Sequence, residues 1–370
     1  MAAQGQELWQ ACFDGERARA LSLLDEGANI EHEGGQWGHT PVMMASESGH
    51  LDVVKMLHGR GANVHFQEAN EGRNALMQAA SWGRTEVASF LVSECGADVN
   101  AVDDEGCTAL LCAALGGFLD VVKMLQTHGA DIHALTNHGD NALMQAASWG
   151  RTEVATFLVT ECGADVNAVD DDEGYTALHW AAQEGFLDVV TMLQTHGADV
   201  HALTNRGNNA LMNAAYYDRP DICHFLISLG LDPALEDNDG ESALTHYAQW
   251  LDEDSPGRDE DEERPPLSDE EKQARVKLLT DARAEYLELQ RREECYQRRK
   301  GALTFLQGYG FLLTAAQREA AKTEQKLVDK HAKLSAIDRS TKEANLKYLT
   351  DRVFGEDKGR HLGREIVMLL

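Results

Sequence analysis

The sequence predicts an all-α solenoid of small stacked units, on three observations. First, residues 71–137 and 138–205 are one passage written twice, with eleven substitutions and one inserted aspartate among 67 positions. Second, each copy splits again into two similar halves, so the underlying period is about 33 residues, the mark of a repeat architecture. Third, short polar residues that can accept a hydrogen bond from an orphan helix N–H recur in register at Thr40, Asn74, Thr108, Asn141, Thr176, Asn209 and Ser242.

The elements follow in order. Residues 8–31 read as a diverged first unit, in which Arg17, Arg19 and Asp25 make the outer side polar, as a terminal cap of a solenoid requires. Residues 38–67 are the most regular unit, with Thr40-Pro41 at a helix start, where proline's missing N–H costs nothing. The duplicated block comes next. Throughout, Gly61, Gly96, Gly129, Gly163, Gly197 and Gly230 follow apolar helical runs, where the chain must stop and reverse through a left-handed residue. Each unit is thus expected to be helix, turn, helix, then a projecting β-turn.

Residues 207–236 depart from the pattern, because Asp218 stands where an inter-helix glycine is expected and Pro220 opens the second helix. Residues 240–250 supply one more first helix. The segment 251–268 is acidic and proline-bearing and is expected to be a disordered linker, and residues 269–370 a helical region, opened by a capping box at Ser268.

The pattern Gly174-Tyr-Thr-Ala-Leu-His-Trp-Ala-Ala182, Gly185-Phe-Leu-Asp-Val-Val190 and Gly197-Ala-Asp-Val-His201 resembles the ankyrin-repeat family, and related units begin at Gly38, Gly72, Gly106, Gly139, Gly207 and Gly240. The resemblance spans about eight units in residues 1–250. The last residues, from Val353, resemble tails of ankyrin proteins of algae and other protists.

Residues 1–271 hold 12 of the 33 basic and 48 of the 62 acidic residues and carry −36, whereas residues 272–370 carry +7. An acidic array repels phosphates, so nucleic acid is not expected as a partner. The basic region is expected to touch the acidic one. No apolar run reaches the roughly 20 residues that cross a membrane, and the N-terminal residues do not read as a signal peptide. Seven cysteines without paired spacing, mostly in helical patterns, read as reduced, core-type thiols of a cytoplasmic or nuclear protein.

No phosphate-binding glycine loop, nucleophile elbow or His-Glu-x-x-His motif is present, so neither catalysis nor a cofactor is expected. His128, His133, His196 and His201 recur at fixed spacing but lack a convergent cysteine or carboxylate set, and a structural role is expected for them rather than metal binding. Ser255 and Ser268 sit in contexts that resemble kinase sites. The family resemblance also implies that the turns at His133 and His201 are candidate substrates for hydroxylation.

The expected function is that of a scaffold or adaptor binding another protein, the chain itself being monomeric and without a small-molecule substrate. Alternatives are a substrate-recognition adaptor of a ubiquitin ligase and an architectural protein without a specific partner. In ankyrin binders the contacts come from the β-turn tips and the exposed side of the first helix, the concave face. The resemblance therefore points to Trp37, His39, Glu71, Arg73, His138, Asp140, Tyr175 and Arg206 in the turns, and to Trp82, Trp149, Glu184, Tyr216, Tyr217 and Trp250 at the helix ends. Five of the eleven substitutions between the copies fall on that face: Glu71/His138, Arg73/Asp140, Cys107/Tyr175, Leu115/Gln183 and Gly116/Glu184. The opposite surface keeps Arg84 and Arg151 identical, which suggests that drift is not even. Aromatic residues on the same face are the type that dominates binding energy. The competing expectation is that Trp82 and Trp149 pack between neighbouring units.

Overall fold

The computed structural model describes residues 2–250 and, beyond them, residues 277, 280, 281, 284 and 291. The expectations for residues 251–268 and for most of 269–370, including Ser255, Ser268 and any docking of the basic region, lie outside these described residues.

Fifteen helices are present in the described array. The first of each pair are α1 (Ala2–Phe13), α3 (Pro41–Ser48), α5 (Ala75–Ser81), α7 (Ala109–Gly116), α9 (Ala142–Ser148), α11 (Ala177–Glu184), α13 (Ala210–Tyr216) and α15 (Ala243–Trp250). The second are α2 (Arg17–Asp25), α4 (Leu51–Gly59), α6 (Thr85–Ser93), α8 (Leu119–Thr127), α10 (Thr152–Thr160), α12 (Leu187–Thr195) and α14 (Pro220–Ser228). First helices pack on first helices of adjacent units and second on second, so the core is continuous along the stack.

Composition explains that packing. The pairs Ala79-Ala80, Ala113-Ala114, Ala146-Ala147, Ala181-Ala182 and Ala214-Ala215 are all buried, and a Cβ alone lets neighbouring first helices approach closely. Second helices supply the bulk through Val53, Val54 and Leu57 and their equivalents Val121, Val122, Leu125, Val189, Val190 and Leu193.

Six of the seven expected caps accept a hydrogen bond from the third helical N–H: Asn74, Thr108, Asn141, Thr176 and Asn209, and Ser242 from Thr245 at 3.3 Å. Thr40 departs from the expectation. Its hydroxyl is buried without a partner, while its backbone N–H points to the Sδ of Met43 at 3.5 Å. The expected reversals are in place, with φ of 89° at Gly61, 87° at Gly129 and 91° at Gly197. Where Cys95 adds a residue, the exit widens: Ala97 N bonds to Leu91 O across six positions, against five for Ala62 N to Leu57 O.

Among the described residues the fingers contain no strands, only isolated antiparallel bridges such as Val102 to Thr108 and Val169 to Thr176. From the second finger onward, a side-chain acceptor with little exposure organises each finger. Oδ1 of Asp170 accepts from the N–H groups of Glu173, Gly174 and Tyr175 at 2.8–3.1 Å, and Glu68 does the same for Asn70, Glu71 and Arg73. Asp103, Thr136, Thr204 and Asp237 occupy the equivalent place. Successive fingers are then tied side by side: Asn137 donates to Glu105 O and Asp104 O, and Asn205 to Glu173 O and Asp172 O. This ladder holds the finger tips at a fixed spacing.

Candidate functional site

Fingers and first helices together line three grooves on one face of the array. The groove at the N-terminal end, about 460 Å³, brings together Trp37, His39, Glu71, Arg73 and Trp82 with Trp9, Glu47 and Gln78. Trp9 is an addition to the expected residues; its indole donates to His39 O at 2.9 Å and so ties the first unit to the second. Arg73 is held by Glu71 at 3.0 Å and faces Asp103 at 3.6 Å. His39 is half-buried between Gln78 and Glu47, and desolvation holds its pKa below the usual value.

A middle groove of about 420 Å³ is lined by Asp140, Trp149 and Glu184, with Met144, Gln145, Ser148, Trp180 and Phe186. A third, about 640 Å³, is lined by His138, Asp140, Tyr175, Arg206, Tyr216 and Tyr217 among others. The two share Asp140 and Trp180. Trp180 is the residue that sequence reasoning missed, although a signal existed: it stands where the first copy has Cys112, one turn before the substituted helix end at Gln183 and Glu184. With it, six of the eleven differences touch the finger face.

The aromatic side chains are held open. Trp37 is 48% exposed, Trp82 52% and Trp149 53%, which is not the exposure of residues packed between units. Trp82 and Trp149 end their helices at the C-cap, just before Gly83 and Gly150, so their rings stand at the helix terminus rather than on its buried stripe. Tyr175 lies 5.0 Å from Trp180 and Tyr216 5.0 Å from Tyr217, measured between ring centroids. The side chain of Trp250 is outside the described residues.

The electrostatics are lopsided. His138 is exposed and bonds through Nδ1 to Asp172 at 2.7 Å, a contact that raises its pKa. Asp140 is held above the usual carboxylate range by partial burial and by the neighbouring charge of Asp170. Arg206 is engaged by Glu173 at 3.1 Å.

The histidines divide as their positions dictate. His128 and His196 bond through Nδ1 to Met124 O and Met192 O at 2.8 Å, anchoring the helix ends. His133 and His201 are exposed in their turns, where Asp131 and Asp199 accept from their backbone N–H groups at 2.9 Å. His179 is fully buried beside Thr176. Asp237, Glu241 and His246 come together at the end of the array, but the carboxylates flank opposite ring nitrogens, Asp237 near Nε2 at 3.8 Å and Glu241 near Nδ1 at 3.3 Å. That arrangement holds an imidazole between two carboxylates, with one potential ligand atom from each residue within 4.8 Å of the others.

Two expectations need correction. Cys95, Cys107 and Cys162 are partly exposed rather than core thiols, although burial still raises their pKa. Burial pushes Cys12 and Cys107 up to about 12, which makes them poor nucleophiles. The identity of Arg84 and Arg151 has a structural cause: neither is a freely solvated residue, since their Nε groups bond to Glu47 O at 2.8 Å and Leu115 O at 3.0 Å in the preceding unit. Their retention therefore says nothing about drift on a neutral surface.

Ankyrin-repeat models match residues 8–103 and 95–170, then 173–205, then 193–246. The chain belongs to the ankyrin-repeat family. The ankyrin array is similar to part of the E3 ubiquitin-protein ligase Ufd4 of Drosophila melanogaster, 40% identical over 93 residues, which is 25% of this chain and 3% of that protein. It is also similar to the human BCL-6 corepressor-like protein 1, 33% identical over 92 residues, covering 25% of this chain and 5% of the relative. A putative palmitoyltransferase, ZDHHC13 of Danio rerio, is 27% identical over 158 residues, 43% of this chain and 19% of its own. The chain thus spans less than a fifth of the length of each of these relatives. Ankyrin repeats are interaction modules, and among the described residues no helix is long and apolar enough to cross a membrane.

Proposed function

We propose that this protein is a non-catalytic scaffold or adaptor whose ankyrin array binds a segment of a partner protein along the finger face, through the three grooves. The observation that carries the proposal is the half-exposure of Trp37, Trp82 and Trp149 on that one face. Leaving a large apolar ring in water forgoes the stabilisation that its burial would contribute, and grouped exposed aromatics mark surfaces that a partner covers. The ladder between fingers supports the same reading, because a preorganised surface loses little conformational freedom on binding.

A more specific reading, a substrate-recognition adaptor of a ubiquitin ligase, draws on similarity to two ubiquitin ligases. The likeness lies in the repeat array, so it favours the binding module and not the ligase role. Co-purification of ligase subunits with the intact chain separates the two.

The test begins with cross-linking of the intact chain in a lysate and mass spectrometry of what is captured, followed by titration of the purified partner. Trp149→Ala and Tyr217→Ala should each weaken binding by about 2 kcal/mol while leaving the melting temperature nearly unchanged. Intact binding together with a large melting shift would assign these rings to the core and remove the proposal.

A further inference from the structure

The groove at the C-terminal end differs in charge from the one at the N-terminal end. Its lining holds seven carboxylates (Asp140, Asp170, Asp172, Glu173, Asp237, Asp239 and Glu241) against one guanidinium, Arg206, a balance of −6 with histidines neutral. The N-terminal groove holds Glu47 and Glu71 against Arg73, a balance of −1. Arg206, the one cation in the lining, pairs with Glu173 at 3.1 Å and is already included in that balance. Burial is the first cause of the raised pKa of Asp140, with Asp170 and Asp172 adding to it and His138 opposing them. Focusing by a concave, low-dielectric wall strengthens such a potential relative to open surface.

Against these carboxylates stand four aromatic rings in two pairs, Tyr175 with Trp180 and Tyr216 with Tyr217, each pair 5.0 Å between centroids. The faces of tyrosine and tryptophan rings attract a cation through their quadrupole. Carboxylates and aromatic faces in one groove therefore select the same ligand property. Polar atoms in the wall remain unsatisfied as well: Trp180 Nε1 and Asn208 Oδ1 have no hydrogen-bond partner. An extended peptide carries both donors and acceptors along its backbone, which a simple inorganic cation does not.

We propose that this C-terminal groove binds an extended basic segment of a partner protein, seating a Lys or Arg side chain over the paired rings of Tyr175, Trp180 and Tyr216 within the ring of carboxylates. The proposal rests on the finger face being the binding surface and names the chemistry of what it binds there. The long axis of the groove, from the finger at His138 to the finger at Glu241, crosses four successive fingers and suits several residues of extended chain. The N-terminal groove, close to neutral, takes a different and less charged part of the same partner.

The test uses the intact chain and fluorescein-labelled hexaarginine, with hexacitrulline and hexaglutamate as probes of the same length, read by fluorescence anisotropy. Hexaarginine should bind at least about tenfold more tightly than its uncharged isostere hexacitrulline, and hexaglutamate should not bind. Tyr216→Ala should weaken hexaarginine about tenfold and Tyr216→Phe should not, since the phenyl ring keeps the attractive face. The double variant Asp172→Asn/Asp239→Asn should weaken it as strongly, whereas Glu94→Gln/Asp98→Asn, an equal charge loss outside the groove, should leave it within about twofold. Equal effects of the two double variants would show diffuse attraction to an acidic protein and overturn the proposal. So would an unchanged affinity in Tyr216→Ala, or self-association of the chain that hexaarginine abolishes, which would assign the groove to a second copy. If the captured partner is still lost on Trp149→Ala while hexaarginine ignores Tyr216→Ala, the scaffold reading stands and the cation site falls.

Discussion

The Nε of Arg151 donates to the backbone carbonyl of Leu115, 3.0 Å away in the preceding unit, and closes the C-terminal end of that unit's first helix. Arg84 makes the same bond to Glu47 at 2.8 Å and Arg219 to Gln183 at 2.9 Å. Between them in the stack, Phe118 and Phe186 lie against Gly83 and Gly150. A row of residues just before the second helices thus bolts each unit to the one before it, alternating a guanidinium with an aromatic ring.

From this follows a division of labour that can be measured. Arg151→Ala leaves the Leu115 carbonyl without its donor and should cost about 1–2 kcal/mol in urea denaturation. Affinity for the partner should stay within about twofold, because Arg151 itself lines none of the three grooves. Unchanged stability would remove the bolt from the account of how units are held together.

Two glycines separate backbone strain from steric contact. Gly129 has φ 87° and nothing lies within 4 Å of the position an added Cβ would take, so Gly129→Ala should cost only the left-handed backbone penalty of about 1 kcal/mol. Gly117 has φ 83° and its added Cβ would meet Cδ of Arg151 at 2.7 Å. Gly117→Ala should therefore cost about 1 kcal/mol more than Gly129→Ala, by disturbing the Arg151 bond as well. Equal losses in denaturant midpoints at unchanged slope would contradict the contact.

Asp218 is the single non-glycine residue with positive φ among the described residues, at 52°. It stands at the position that Gly83 and Gly150 occupy in earlier units. Asp218→Gly should stabilise the array by about 0.5–1 kcal/mol by relieving the left-handed conformation, less whatever the aspartate side chain contributes. A lower melting temperature would mean that the side chain's own contacts outweigh the strain.

His179 makes stability depend on pH. It is fully buried and desolvation lowers its pKa to about 4 from an ordinary 6.5. The unfolded chain then binds the proton more readily, so the neutral histidine costs nothing above pH 6.5 and stability falls as pH drops from there towards 4, at up to about 1.4 kcal/mol per pH unit. The other copy places Leu111 at the same position, which makes His179→Leu a native-like replacement. The variant should show a shallower loss of stability between pH 6.5 and 4 than the parent in thermal melts. Parallel curves would show that His179 does not titrate with unfolding.

The helices, their order and their ends were legible in the sequence because each is a local matter. A period of about 33 residues, a polar cap at Asn74 or Thr176 and a left-handed glycine at Gly129 are properties of short segments, and repetition makes each of them visible several times. Even the exception at Thr40 is local: a methionine three residues on offers sulfur to the backbone N–H, and the hydroxyl is left without the donor expected for it.

What only the tertiary structure decided concerns residues about one repeat apart. Arg84 and Arg151 read as solvated surface until the stack places a carbonyl of the preceding unit 2.8–3.0 Å from each. Trp180, hidden in the sequence as one more helix residue, becomes the wall shared by two grooves because the neighbouring units bring Trp149 and Tyr216 alongside. The residue types and their spacing are written in the chain, but whether a charge is neutralised inside the array or left facing a groove depends on the register in which one unit stacks on the next.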